Sequence, residues 1–296
     1  MNASQSLQGK VAVVAGATRG AGRAIAVELG ACGATVYCTG RSTRGNPSDI
    51  GRPETIEETA EMITARGGRG IAVRVDHTVE EEVAALFERV KREQDGRLDI
   101  LVNDVWGGEK LTAWGQPFWQ SSLDDGLLMQ RRAVHSHMIT SYNGAPLMVA
   151  RRSGLIVEMT DGFDYRYRGN LYYSLAKISA IHLAECMAEE LRAYNVAAVA
   201  VTPGFLRSEE MLAHFGVTEE NWRDAVKKEP HFIASETPAF VARGVAALAA
   251  DPSMMKRTGS KLTSWGLSDD YGFIDADGNR PHWGRYAQEH GLLDNP

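Results

Sequence analysis

Tyr173 and Lys177 stand four residues apart in a stretch that reads as helix, which puts a phenol and an ammonium on one helical face. A nearby positive charge favours the phenolate of a group whose free pKa is about 10. Such a tyrosine gives a proton to a carbonyl oxygen as hydride arrives, or takes one from an alcohol as hydride leaves. Taken alone, the pair is better read as two residues sharing an exposed helical face. Far upstream, Ala15-Gly16-Ala17-Thr18-Arg19-Gly20-Ala21-Gly22 spaces its glycines as Gly-xxx-Gly-x-Gly between an apolar run and a helical one. Glycine lets a pyrophosphate approach the backbone, and the amides at a helix N-terminus face it, so Gly16, Thr18, Arg19, Gly20 and Gly22 are candidates to bind a dinucleotide. The bare alternative is a tight turn with nothing bound. At the end of the second apolar run stands Arg41, where an NAD-preferring site would place an acidic residue against the ribose hydroxyls. A guanidinium offers a planar, permanently charged fork to a phosphate, so Arg41, helped by Arg19, favours NADP, with NAD the second choice. A solvated loop of arginines is the plain alternative.

Positioning these residues requires a scaffold, and its periodicity is legible. Residues 11–15, 34–39, 71–75, 98–102, 155–159, 196–202 and 261–265 are short apolar runs that read as strands. Residues 21–31, 53–66, 79–94, 171–194 and 238–250 read as helices, with proline opening the second and Gly67-Gly68 closing it. Strands alternating with helices predict an α/β doubly wound parallel sheet of about seven strands, covered on both faces, in a single domain over 1–296. Two stretches stand outside that scheme: 207–235, whose Met211, Leu212, Phe215 and Trp222 suggest a helical lid, and a polar C-terminal extension over 266–296.

Composition narrows the function class. The 296 residues carry 44% hydrophobic side chains and a net charge of −6, which fits an ordinary globular chain and disfavours indiscriminate binding to nucleic acid or an anionic membrane. Three cysteines are too few for a disulfide framework, residues 1–10 lack a basic and apolar leader, and no run reaches the length of a membrane span, so the cytoplasm is the expected compartment. No metal is expected: His135 and His137 are two apart and do not share a helical face, and the Asp275-Ala276-Asp277-Gly278 turn lacks the later acidic ligand of a calcium loop.

Adding Asp76, Asn103, the run Tyr173-Ser174-Leu175-Ala176-Lys177, and Pro203-Gly204, the chain resembles the short-chain dehydrogenase/reductase family over nearly its whole length. The glycine turn, Asn103-Asp104-Val105-Trp106-Gly107-Gly108 and Tyr271-Gly272-Phe273-Ile274-Asp275-Ala276-Asp277-Gly278 look most like its branch called dehydrogenase/reductase family member 1. The resemblance implies a Rossmann-like fold and a homodimer or homotetramer. It also implies an adenine contact from Asp76, a ribose and backbone contact from Asn103, and cofactor contacts from Pro203, Gly204, Ser208, Tyr173 and Lys177. Asp76 and Ser208 also fit as helix caps, and Asn103 as a strand end.

The family's catalytic serine is missing. Spacing from Tyr173 selects Thr160 in its place, whereas anchoring on the strand selects Asp161. An ionised carboxylate beside the phenol would raise its pKa and repel an oxyanion, so Thr160 is the preferred hydroxyl donor. Ala133 stands where the family often has an asparagine supporting a proton-relay water. Trp106, Phe163 and Tyr165 are expected to wall the substrate, a small carbonyl compound or alcohol. The reaction implied is NADP-dependent hydride transfer with Tyr173 as acid and base. The alternative is a protein of the same fold that binds NADP as a sensor or scaffold without turnover.

Overall fold

Seven parallel strands form one sheet in the order β3-β2-β1-β4-β5-β6-β7 in the computed structural model, which describes residues 6–292. The strands are β1 Val11–Ala15, β2 Thr35–Gly40, β3 Arg69–Arg74, β4 Ile100–Asn103, β5 Gly154–Met159, β6 Val196–Thr202 and β7 Lys261–Thr263. Every residue of β1, β4, β5 and β6 is buried, as an unbroken apolar run must be when helices cover both faces of its sheet. Alternation sorts the side chains of β1. Ala12 and Val14 join a core with Ile25 and Leu29 of α1 (Gly20–Ala31) and Ile63 of α2 (Ile56–Ala65). Val11 and Val13 join the opposite core with Val83 and Leu86 of α3 (Glu80–Glu93).

Between β4 and β5 run α4 (Leu123–Gln130), a single π turn at Arg131–His135 that buries Ala133, and α5 (Ser136–Arg151). The long α6 (Leu171–Leu191) follows β5, and its first turn is capped by the Asn170 side chain, which accepts from the Tyr173 amide at 3.1 Å. Strand order reverses at β1, between β2 and β4, which opens a crevice at the carboxyl ends of the strands.

Boundaries shift where side-chain caps decide them. Helix α2 begins at Ile56, not at Pro53, because the Thr55 hydroxyl accepts from the Glu58 amide at 3.2 Å. Strand β7 stops at Thr263, short of Trp265, because that threonine caps a further helix. The stretch expected as a lid holds one short helix, α7 (Glu209–Phe215), and two 3-10 turns around a small core of Phe215, Trp222 and Phe232. After it come α8 (Pro238–Ala250), α9 (Ser264–Tyr271) and α10 (Trp283–Glu289), so the C-terminal extension is largely folded. Buried Arg207 ties the two stretches together: its guanidinium reaches Asp277 at 2.7 Å and Glu219 at 2.9 Å. The acidic turn in the extension therefore anchors a loop, and Asp275 accepts from the Thr237 amide at 2.8 Å.

Candidate active site

The glycine turn leaves β1 in close contact with neighbouring backbone. Gly16 has φ +90°, and a side chain there would stand 2.4 Å from the Asp104 carbonyl oxygen; at Gly22 it would stand 2.3 Å from the Gly16 carbonyl. Only glycine fits either position. Helix α1 starts immediately afterwards with no acidic residue in its first turn and no side-chain cap from Arg19. The positive end of the helix is served from elsewhere: Glu209, 189 residues away on α7, accepts a hydrogen bond from the Gly20 amide at 2.8 Å.

A cleft of about 490 Å³ runs from this turn across the strand ends. It is lined by Gly16, Thr18, Arg19, Gly20, Arg41 and Asp76, with Ser208 against Gly20, and by Trp106, Thr160, Asp161, Tyr173, Lys177, Pro203 and Gly204. Two of the expected ligands lean on local partners as well. Asp76 accepts from the Thr78 amide and hydroxyl at 2.9 and 2.7 Å, and Ser208 caps α7 by accepting from the Met211 amide at 3.3 Å. Arg19 lies 3.4 Å from Glu54 and donates to the Ser48 hydroxyl at 3.0 Å. Asp49 holds Arg41 at 3.2 Å and Arg132 at 3.1 Å, so one carboxylate sits between two guanidinium groups at the end of β2.

At the reacting end Tyr173 donates to Asp161 Oδ2 at 2.7 Å. Burial and the Asp161 charge together push the phenol well above its ordinary range, opposite to the effect expected from the lysine. Burial lowers the Lys177 ammonium, although Asp161, Asp104 and Glu109 oppose it. Its Nζ lies 4.0 Å from the Trp106 ring centroid. Thr160 is turned the other way: its hydroxyl donates to the Lys177 carbonyl at 2.6 Å, pinning the end of β5 to α6. The preferred hydroxyl donor is thus committed to the backbone, and the tyrosine meets a carboxylate instead. Asn103 is also redirected. It is fully buried, does not line the cleft, and donates to Ser141 at 2.9 Å and Glu158 at 2.6 Å.

The expected aromatic wall is only partly present. Trp106 meets Tyr173 edge-on, with centroids 5.3 Å apart. Phe163 packs on Trp265, and Tyr165 donates to Glu185 beside a separate depression against α6, so neither lines the cleft. Trp114, which follows Trp106 on the loop after β4, packs behind Tyr173 with ring centroids 5.0 Å apart and does not itself line the cleft. Sequence reasoning missed Glu209, Asp49 and the charged pair below the site. His137 bonds Glu158 at 2.6 Å through Nδ1 and the Val105 carbonyl at 3.0 Å through Nε2. Burial opposes the imidazolium, but the Glu158 carboxylate outweighs it and raises the His137 pKa. Beside them Asp104 is pushed up to about 6, mainly by burial. Beneath Gly204, buried Glu236 accepts from the Gly204 amide at 2.9 Å and the Ser264 hydroxyl at 2.6 Å, and burial pushes it up to about 8. Among the described residues no group of three metal-ligating side chains converges, and no helix is long and apolar enough to cross a membrane.

A parallel doubly wound sheet, a glycine turn at a helix N-terminus and a tyrosine–lysine pair in one cleft define a nucleotide-dependent oxidoreductase of the dehydrogenase class. The family model described as short chain dehydrogenase matches residues 10–216. The mouse protein named dehydrogenase/reductase SDR family member 1 is 37% identical over 279 residues, covering 92% of this chain and 85% of its own length, and its human counterpart is 36% identical over 276 residues, with the same coverage of each chain. A hydroxysteroid dehydrogenase structure from Escherichia coli superimposes with a TM-score of 0.71 at 25% identity, covering 89% of this chain and 98% of that one. The chain belongs to the short-chain dehydrogenase family and is an NAD(P)-dependent oxidoreductase.

Proposed function

We propose that the chain is an NADP-dependent oxidoreductase that moves hydride between the cofactor and the carbon of a small carbonyl compound or its alcohol, with Tyr173 holding the transferred proton. The observation that carries this reading is that Tyr173 and Lys177 line the same cleft as the glycine turn. The nicotinamide, when bound, gives or takes the hydride. Lys177, whose Nζ lies 5.6 Å from the Tyr173 ring centroid, is suited to hold the neighbouring ribose, and Asp161 is the tyrosine's hydrogen-bond partner in place of a hydroxyl. Segment 207–235 would serve as the lid, since Ser208–Met211 lies along the cleft. Exposed Leu127, Met138, Tyr142 and Leu175 on α4, α5 and α6 support a homo-oligomer built on those helices.

The chain fits the cofactor on its own evidence, because carboxylates already stand where its anionic groups would go. Asp49 between Arg41 and Arg132 supports a 2′-phosphate site, and Glu209 on the Gly20 amide supports a pyrophosphate site. In a fluorescence titration NADPH is expected to bind more tightly than NADH. Arg41→Ala should weaken NADPH by about tenfold, the worth of one charge-assisted hydrogen bond, and change NADH by less than about twofold. Tighter binding of NADH by the wild-type chain would overturn the assignment of NADP.

Glu209 makes a second, opposite expectation. A carboxylate on the Gly20 amide must leave before a phosphate can use it, so Glu209→Ala should tighten NADPH binding by roughly three- to tenfold. Calorimetry on both proteins measures this directly. An unchanged dissociation constant would mean that the carboxylate and the cofactor do not share the amide.

A further inference from the structure

We propose that the substrate carries a protonated nitrogen at or next to the reacting carbon, as in an imine reduced to an amine or an amino ketone reduced to an amino alcohol. The inference rests on the hydride-transfer reading above and adds the substrate's charge. Charge in the cleft is divided between its ends. Arg19, Arg41 and Arg132 line the end suited to phosphates, where Glu210 stands near Arg19, whereas Asp161, Asp104 and Glu109 all bear on Lys177. Arg168, which also bears on Tyr173, is engaged by Asp164 at 3.2 Å.

The aromatic wall points the same way. Trp106 and Trp114 present rings 5.3 and 5.0 Å from the Tyr173 ring, and Trp106 already carries the Lys177 ammonium on its face. Carboxylates combined with aromatic faces recognise organic cations.

Asp161 makes the charge matter to the chemistry. Against a neutral ketone it acts twice in the wrong direction, holding the tyrosine proton and repelling the oxyanion. A substrate ammonium paired with Asp161 cancels both effects. With an amino ketone, hydride from the dihydronicotinamide forms the new C–H bond, the C=O π pair moves to oxygen, and oxygen takes the Tyr173 proton; the cofactor leaves oxidised. With a protonated imine the hydride adds to carbon and the C=N π pair neutralises the nitrogen, so no proton from Tyr173 is required. The two arms are therefore separable by Tyr173→Phe, which stops the first and spares the second.

The test uses matched pairs with NADPH: a cyclic imine against the cyclic ketone of equal ring size, and an amino ketone against the ketone without nitrogen. In the wild type the nitrogen-bearing member is expected to have at least about a tenfold higher kcat/KM, and Asp161→Ser should reverse the preference by a similar factor. A readout independent of turnover is tryptophan fluorescence of the cofactor-free chain. Pyrrolidinium should quench it and tetrahydrofuran should not, and Asp161→Asn should remove the quenching. Equal kcat/KM for charged and neutral members, or pyrrolidinium binding unchanged by Asp161→Asn, would overturn the inference. Absence of any turnover with NADPH bound would count against the hydride-transfer reading instead, and the fluorescence arm would still decide the charge.

Discussion

Tyr173→Phe is expected to lower turnover on a carbonyl substrate by about 10²- to 10⁴-fold, the usual worth of a positioned proton donor. The substitution removes one hydroxyl and little else. The ring stays packed against Trp106 and Trp114, so the cleft keeps its shape. Asp161, the partner left behind, is exposed and regains water, so no buried charge is orphaned. NADPH affinity should accordingly change by less than about twofold, because a single hydroxyl aimed at the substrate contributes little to cofactor binding. Steady-state rates and a cofactor titration on the same preparation separate the two effects. Wild-type turnover in the variant would remove Tyr173 from the proton transfer.

The largest stability effect is expected below the site. His137→Ala or Glu158→Ala should destabilise the fold by about 3–5 kcal/mol, because each leaves the other charge buried without its partner. Glu158 lies inside β5 and is fully buried, with its other oxygen held by Asn103, so water does not replace the lost imidazolium. Denaturant unfolding of the wild type and His137→Ala at two pH values checks both size and sign. The folded chain raises the His137 pKa, so the pair's contribution is complete below about pH 6.5, the unfolded value, and fades as pH rises through the folded one. The gap between the two proteins should therefore be wider at pH 6 than at pH 9. A gap that is small at both would show that the site accommodates the loss.

Particular residues show where the sequence was informative. Strand β6 and helix α8 run over 196–202 and 238–250 as their apolar patterns indicate, because burial on a regular element writes a period into the chain. Helix α2 and strand β7 departed at their ends, where one threonine hydroxyl on a backbone amide outweighed proline and apolar character. The tyrosine and lysine were legible because four residues on a helix fix their common face. The packing of Trp114 on that tyrosine was not, since a loop has no period from which to read its direction.

The sequence by itself determined the family, the order of strands and helices, and the two ends of the cleft, since all of these follow from local spacing: glycines at a turn, an arginine after β2, a phenol and an ammonium one helical turn apart. Tertiary structure alone decided which group meets the phenol and which anion meets the helix. Thr160 and Asp161 are neighbours whose roles are assigned by the Lys177 carbonyl, which claims the hydroxyl and leaves the carboxylate for Tyr173. Glu209 reaches Gly20 across 189 residues of chain. A hydrogen bond depends on separations of a few ångströms and on direction, and between segments far apart in sequence both are set by packing rather than by spacing along the chain.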